Sequence, residues 1–177
     1  LFHLENVNST SLLPEDFEGT VDWYLQSGDG EFALQEEHKF SGKYSLLARA
    51  SPKKDMVLGG LFGNIKLSEP HLALLVWSTK VFSSRDKYFM PVLGISYKNQ
   101  GKKHHSQIPL GMINAGMNLH VKENSSGGEK YYWQIHSAIG WVPPGNFSLN
   151  ILLYCEAGKS IMYDSMRLFL VRKEPLS

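Results

Sequence analysis

The stretch NFSLNILLYCE, residues 146–156, decides how the chain is read. Phe147, Leu149, Ile151, Leu153 and Cys155 recur at every second position, with Ser148, Asn150, Leu152 and Tyr154 between them. Successive side chains of a strand point to opposite faces, so a period of two predicts a strand with one face in a core. Cys155 falls in the apolar row, where a thiol behaves as a small buried hydrophobe rather than a nucleophile. It is the sole cysteine in 177 residues, so no intrachain disulfide forms.

The rest of the chain follows the same grammar. HLALLVWSTKVF, residues 71–82, is apolar at both parities, as a central strand covered on each face must be. Further strands are predicted near residues 31–37, 43–50, 88–98, 117–123, 130–138 and 160–171. No window shows a 3.6-residue apolar period. Glycine and proline punctuate the chain, and SPKKD, KNQGKKHHSQ, ENSSGGEK and VPPGN carry turn chemistry. Short, regularly spaced strands predict an all-β protein, a two-sheet antiparallel sandwich. One domain accounts for the length.

Composition removes several function classes. The net charge is +1, with charged residues at 20% and hydrophobic ones at 42%, too even a balance for a nucleic-acid footprint. The basic run Lys102-Lys103-His104-His105 is read as a solvated loop. No apolar stretch approaches the roughly 20 residues that span a bilayer, because Ser78, Thr79 and Lys80 interrupt the best one. The chain opens at Leu1 without an initiator methionine, as a processed chain or an excised piece does. Asn8, Asn124 and Asn146 each begin an N-glycosylation sequon. They point to a secreted chain or one on the extracellular or lumenal side of a membrane, with sugar expected on Asn8 and Asn124 in polar loops and on Asn146 at a strand edge.

One acid stands out. In IMYDSMRLFLV, residues 161–171, Asp164 shares strand parity with Met166, Leu168 and Leu170, which places it at the head of a core row. A lone carboxylate there is costly, so it needs a cation, an arginine or several backbone donors. Glu18, in PEDFEGTVDWYLQSGDGEF, residues 14–32, is the candidate second acid of a hard-cation site.

The succession FEGTVDW, HKFSGKYSLLARA, WQIHSAIGWVPPGNFSLNILLY and MYDSMRLFLV resembles the galactose-binding-like jelly rolls. That group includes many carbohydrate-binding modules attached to glycosidases. The resemblance runs from about Asp16 to Val171. It implies a jelly-roll domain over residues 16–172, with 1–15 as a lead segment and 173–177 as a tail or linker. It implies a non-catalytic glycan-binding module of a larger secreted or membrane-attached protein. It also implies one structural calcium held by Glu18, Asp164 and backbone carbonyls of His38 to Ser41, although the family's usual second acid beside the terminal aspartate is Ser165 here. The same skeleton is similar to MAM domains, which would make the partner another protein. Those domains carry paired cysteines, and this chain has only Cys155.

Sugar recognition uses aromatic faces together with amides and acids. Trp23, Tyr24, Tyr97 and Trp141 lie near turns and are the candidate ligand-binding aromatics, whereas Trp77 and Trp133 lie within strands and are expected in the core. Catalysis finds no support. The histidines are scattered, no Gly-x-Ser-x-Gly elbow occurs, and Asp16, Glu18 and Asp22 are too close in sequence to face each other across a glycosidase cleft.

Overall fold

The computed structural model describes residues 10–11, 23–37, 42–81, 91–113, 120–126 and 129–172. Thirteen strands occur among them: β1 (Thr10–Ser11), β2 (Trp23–Gly28), β3 (Gly30–Gln35), β4 (Ser45–Ala50), β5 (Met56–Leu67), β6 (His71–Val81), β7 (Val92–Asn99), β8 (Lys102–Ile108), β9 (Gly111–Met112), β10 (His120–Ser126), β11 (Glu129–Val142), β12 (Gly145–Cys155) and β13 (Ser160–Arg172). Among the described residues there is no helix.

The strands form two antiparallel sheets. The larger runs β10-β11-β6-β13-β4-β3, with β1 added to β13 and β9 to β11; the smaller runs β2-β5-β12-β7-β8. Only β3-β4, β7-β8 and β10-β11 pair with their neighbour in sequence. Elsewhere the chain crosses between sheets or skips strands, as a jelly roll requires. Thr10 and Ser11, from the segment expected to lead into the domain, stand opposite Leu170 and Phe169 at the sheet margin.

Strand β12 is the middle of the smaller sheet, and its alternation is that of the sequence: Phe147, Leu149, Ile151, Leu153 and Cys155 are all buried. They meet Ala73, Leu75 and Trp77 of β6 and Tyr163, Met166 and Leu168 of β13 in one core. β6 lies between β11 and β13, with Leu72, Leu74 and Val76 half-buried on its outer face. His136 enters the core from β11, stacked on Trp77 at 5.2 Å, and its Nε2 shares a 2.8 Å hydrogen bond with the Thr79 hydroxyl.

Several expectations change. Trp133 is fully buried, but it stands opposite Lys80 on the outer face of the larger sheet rather than in the core between the sheets. The basic run is a strand, β8, because Gln100 and Gly101 both take positive φ and close a two-residue hairpin. Asn124 lies in β10 opposite Tyr131, not in a loop. The aspartate of β13 changes face. Asp164 pairs with Ser78 and Arg167 with Val76, so Ser165 and Met166 together oppose Trp77. This bulge, with Ser165 at φ 48°, leaves Tyr163 and Leu168 facing the core and turns Asp164 to the opposite face.

The core supports two predictions. Ile151→Ala should lower the unfolding free energy by about 2–5 kcal/mol in chemical denaturation, while Leu61→Ala, at an exposed site, should change it by less than about 0.5 kcal/mol. Burial holds the His136 imidazole down at about 4, whereas the unfolded chain takes this proton near pH 6.5. Stability should therefore fall as the pH drops from about 6.5 towards 4 and level off below, and denaturant midpoints across that window should flatten in His136→Gln.

Candidate functional site

The outer face of the smaller sheet is built on the strand whose inner face is the core. The outward residues of β12 are those between the core positions, and strand pairing extends each into a row across the sheet. Tyr24, Gly59, Leu152 and Val92 make the first row. Leu61, Asn150, Gly94 and Gln107 make the second, and Asn64, Ser148, Ser96 and His105 the third.

Glycine levels this surface at two points. A Cβ on Gly59 would lie 2.5 Å from Tyr24 Cζ, so the tyrosine ring rests directly on the glycine. A Cβ on Gly94 would lie 2.2 Å from Asn150 Oδ1, so the asparagine amide lies flat on its neighbour. A glycine within a strand weakens the sheet and marks close approach by another group. The result is a shelf on which Tyr24 is 39% and Leu61 51% exposed.

Polar pairs fix the middle of the shelf. The Ser148 hydroxyl donates to Asn64 Oδ1 at 2.8 Å, and Ser96 Oγ lies 2.7 Å from His105 Nδ1. At the Tyr24 end, the Tyr154 hydroxyl donates to the Asp55 carboxylate, which also accepts from the Ala157 amide at 2.8 Å. These bonds, the tyrosine's first, hold the Asp55 carboxyl below its ordinary value. A ring face beside amides and hydroxyls held by their neighbours is the chemistry that packs on a sugar ring and hydrogen-bonds its hydroxyls.

The structure separates the four candidate aromatics. Trp23 stands opposite Gly60 and packs against the core, which leaves Tyr24 alone on the outer face. Tyr97 continues the inward row of Leu93 and Ile95 to the end of the β7-β8 hairpin, where it stacks on His104 at 5.2 Å. Trp141 is 51% exposed on the outer face of the other sheet, opposite Leu72, with Ile139 on the same side and Ile113 beyond it. Leu61, Asn64, Asn150, Ser96 and His105 were missed by sequence reasoning. The usable signal was the polar outward row of NFSLNILLY on a strand whose other row is wholly apolar.

Asp164 is fully buried on the outer face of the larger sheet. Its Oδ1 accepts the Ser165 amide at 2.7 Å, which pins the bulge, and its carbonyl accepts the Ser78 hydroxyl at 2.7 Å. Lys80, also buried, is on the same face opposite Met162, diagonal to the aspartate. Glu18, Asn8 and the His38 to Ser41 segment lie outside the described residues, and among the described residues no group of three or more His, Cys, Asp or Glu could hold a metal. Asn146 is exposed at the start of β12. Cys155 is a buried free thiol that donates to the Lys159 carbonyl at 3.2 Å and is pushed up by burial, which suppresses the reactive thiolate.

No protein-family model matches the chain, and no curated protein matches it in sequence. Solved structures do match in shape. The CBM22-1 xylan-binding domain of Paenibacillus barcinonensis Xyn10C has 14% identity and a TM-score of 0.46 over 94% of this chain and 97% of its own. The CBM22-1 and GH10 modules of Clostridium thermocellum xylanase 10B, complexed with xylohexaose, have 13% identity and a TM-score of 0.50 over 93% of this chain; this chain spans 29% of theirs. The mannan-recognising module TmCBM27 has 15% identity and a TM-score of 0.40, over 85% of this chain and 89% of its own. At such identities the likeness is one of fold: the chain is a jelly-roll β-sandwich of the kind found in carbohydrate-binding modules.

Proposed function

We propose that the chain is a non-catalytic module that binds glycan on the outer face of its smaller sheet, as part of a larger secreted or membrane-attached protein. The observation that carries the proposal is the Tyr24 ring, laid on Gly59 and still exposed, beside hydrogen-bonded amide and hydroxyl groups. The ring supplies an apolar face to a pyranose, and the exposed amides of Asn64 and Gln107 supply donors and acceptors for its hydroxyls. The carbohydrate-binding modules of like fold support it. The three sequons support the secretory context, with Asn146 the one on the described surface.

Binding on a glycan array should drop at least about tenfold in Tyr24→Ala. Gly59→Val, which pushes the ring off the sheet, should weaken it similarly, while Trp141→Ala leaves it unchanged. Binding that survives both shelf variants would sink the assignment. A second reading, a protein-contact module of MAM type, draws on Trp141, Ile139 and Ile113, apolar and exposed on the other sheet. Association in solution lost in Trp141→Ala, with no glycan bound, would favour it.

We also propose that Glu18 and Asp164 hold one calcium that ties the start of the domain to its last strand. A divalent cation would neutralise the buried carboxylate and stabilise only the folded chain. At a hundredfold excess over Kd, calcium should raise the melting midpoint by roughly 5–10 °C relative to chelator. Identical midpoints would leave Lys80 as the counter-charge and remove the metal.

A further inference from the structure

The shelf has a charged end. One step beyond the row of Asn64 and Ser148, the outward positions are Lys66 on β5, opposite Asn146, and Lys98 on β7, opposite Lys103 on β8. All three lysines are exposed, and none is in an ion pair among the described residues. His105 lies in the adjoining row. Neighbouring strands are only about 4.8 Å apart, so these cations crowd one corner. No described residue of these four rows is an acid; Asp55 lies at the opposite end and is engaged by Tyr154.

One contact of this arrangement costs the free protein stability. Like charges directly opposite across two strands are destabilising, as Lys98 and Lys103 are. Lysines on an edge strand deter edge-to-edge pairing, which accounts for Lys103 on β8. Lys66 and Lys98 also lie where their strands are paired on one side only among the described residues, since the ladder of β5 with β2 ends at Gly60 and that of β7 with β12 at Ser96. What edge protection does not account for is Lys98 set directly opposite Lys103. Nor is it a by-product of a basic chain, whose 18 Lys and Arg are matched by 17 Asp and Glu. The Lys98-Lys103 opposition breaks a local rule, and such breaks are expected where a surface is used.

We infer that the shelf takes an acidic glycan, one that bears carboxylate or sulfate groups, with a ring seated on Tyr24 and an anionic group received by Lys66, Lys98 and Lys103. This rests on the shelf being the glycan site and adds the class of glycan. The aromatic end supplies the apolar contact, and the lysine end supplies charge complementarity and faster encounter. Lysine suits both anions, as a point charge on a flexible stem rather than a planar fork.

The test uses calorimetric titration of the chain made in a bacterial host, so that Asn146 carries no sugar. The probes are oligogalacturonate, a heparin oligosaccharide, xylohexaose and polyphosphate. At about 0.05 M salt one of the acidic glycans should bind at least about tenfold more tightly than xylohexaose, with the preference largely gone at about 0.5 M. It should also vanish in Lys66→Gln/Lys98→Gln/Lys103→Gln, surface changes that leave folding intact. Which acidic probe wins separates carboxylate from sulfate. Equal binding of xylohexaose by both proteins overturns the charge inference and leaves the glycan shelf standing. Polyphosphate binding as well as the sugars overturns it as a glycan site, as does acidic-glycan binding indifferent to Tyr24→Ala. No binding by any probe overturns the inference together with the shelf.

Discussion

The molecule depends on the inward row of one strand. β12 pairs with β5 on one edge and β7 on the other, and Leu149 and Ile151 are fully buried beneath the larger sheet. A slip of one residue would send that row into solvent, so the core fixes the register of the whole smaller sheet. Register has a second consequence on the opposite face. Once Ile151 points inward, Asn150 and Leu152 must point outward, and the pairings of β12 decide that Gly94 and Leu61 flank Asn150. The shelf is held in place by the core, and its side chains are free of any duty to the interior.

Regions with an uninterrupted period were legible from the sequence. The alternation of β12, the doubly apolar run of β6 and the burial of Trp77 and Cys155 all follow from one-dimensional pattern. β5 was illegible because its period breaks: Leu61 faces outward opposite Asn150, but one extra residue intervenes and Asn64 is the next outward position. β8 lacks an apolar row altogether, since its residues before Ile108 are exposed, and a polar edge strand and a loop look alike in composition. Strand parity places Asp164 on the wrong face because it holds only while pairing is regular. The bulge at Ser165 depends on what lies across the ladder, which no local pattern records.

The same limit explains the site. Tyr24 was recognisable as a candidate, but its partners come from β5, β12, β7 and β8, brought into rows by pairings between segments far apart in sequence. The basic run was visible and misplaced. As a loop it would be a mobile cluster of like charges, whereas in β8 alternation divides it: Lys103 and His105 face the shelf, and His104 turns the other way onto Tyr97. A strand thus sorts a charge run into two surfaces with different uses.

Gly59 and Gly94 show why the shelf is more than exposed sheet. Both lie on interior strands, where a residue with a side chain would stabilise the ladder and glycine costs backbone entropy. Each loss is offset by a side chain lying in the space left open, Tyr24 over one and Asn150 over the other. A tyrosine ring docked in advance has lost freedom that binding would otherwise have to remove, which would raise affinity for a ligand without adding a contact. The other outer face has no such device among its described residues: Trp141 and Ile139 project from β11 beside Leu72 and Leu74, and Gly111 of β9, which pairs with Ile139, carries no side chain over it, since an added Cβ would meet only the Ile139 carbonyl at 4.0 Å. Both faces expose an aromatic ring, but among the described residues of the two faces a side chain rests on a strand glycine only on the smaller sheet, and this is where a ligand-binding role is best supported.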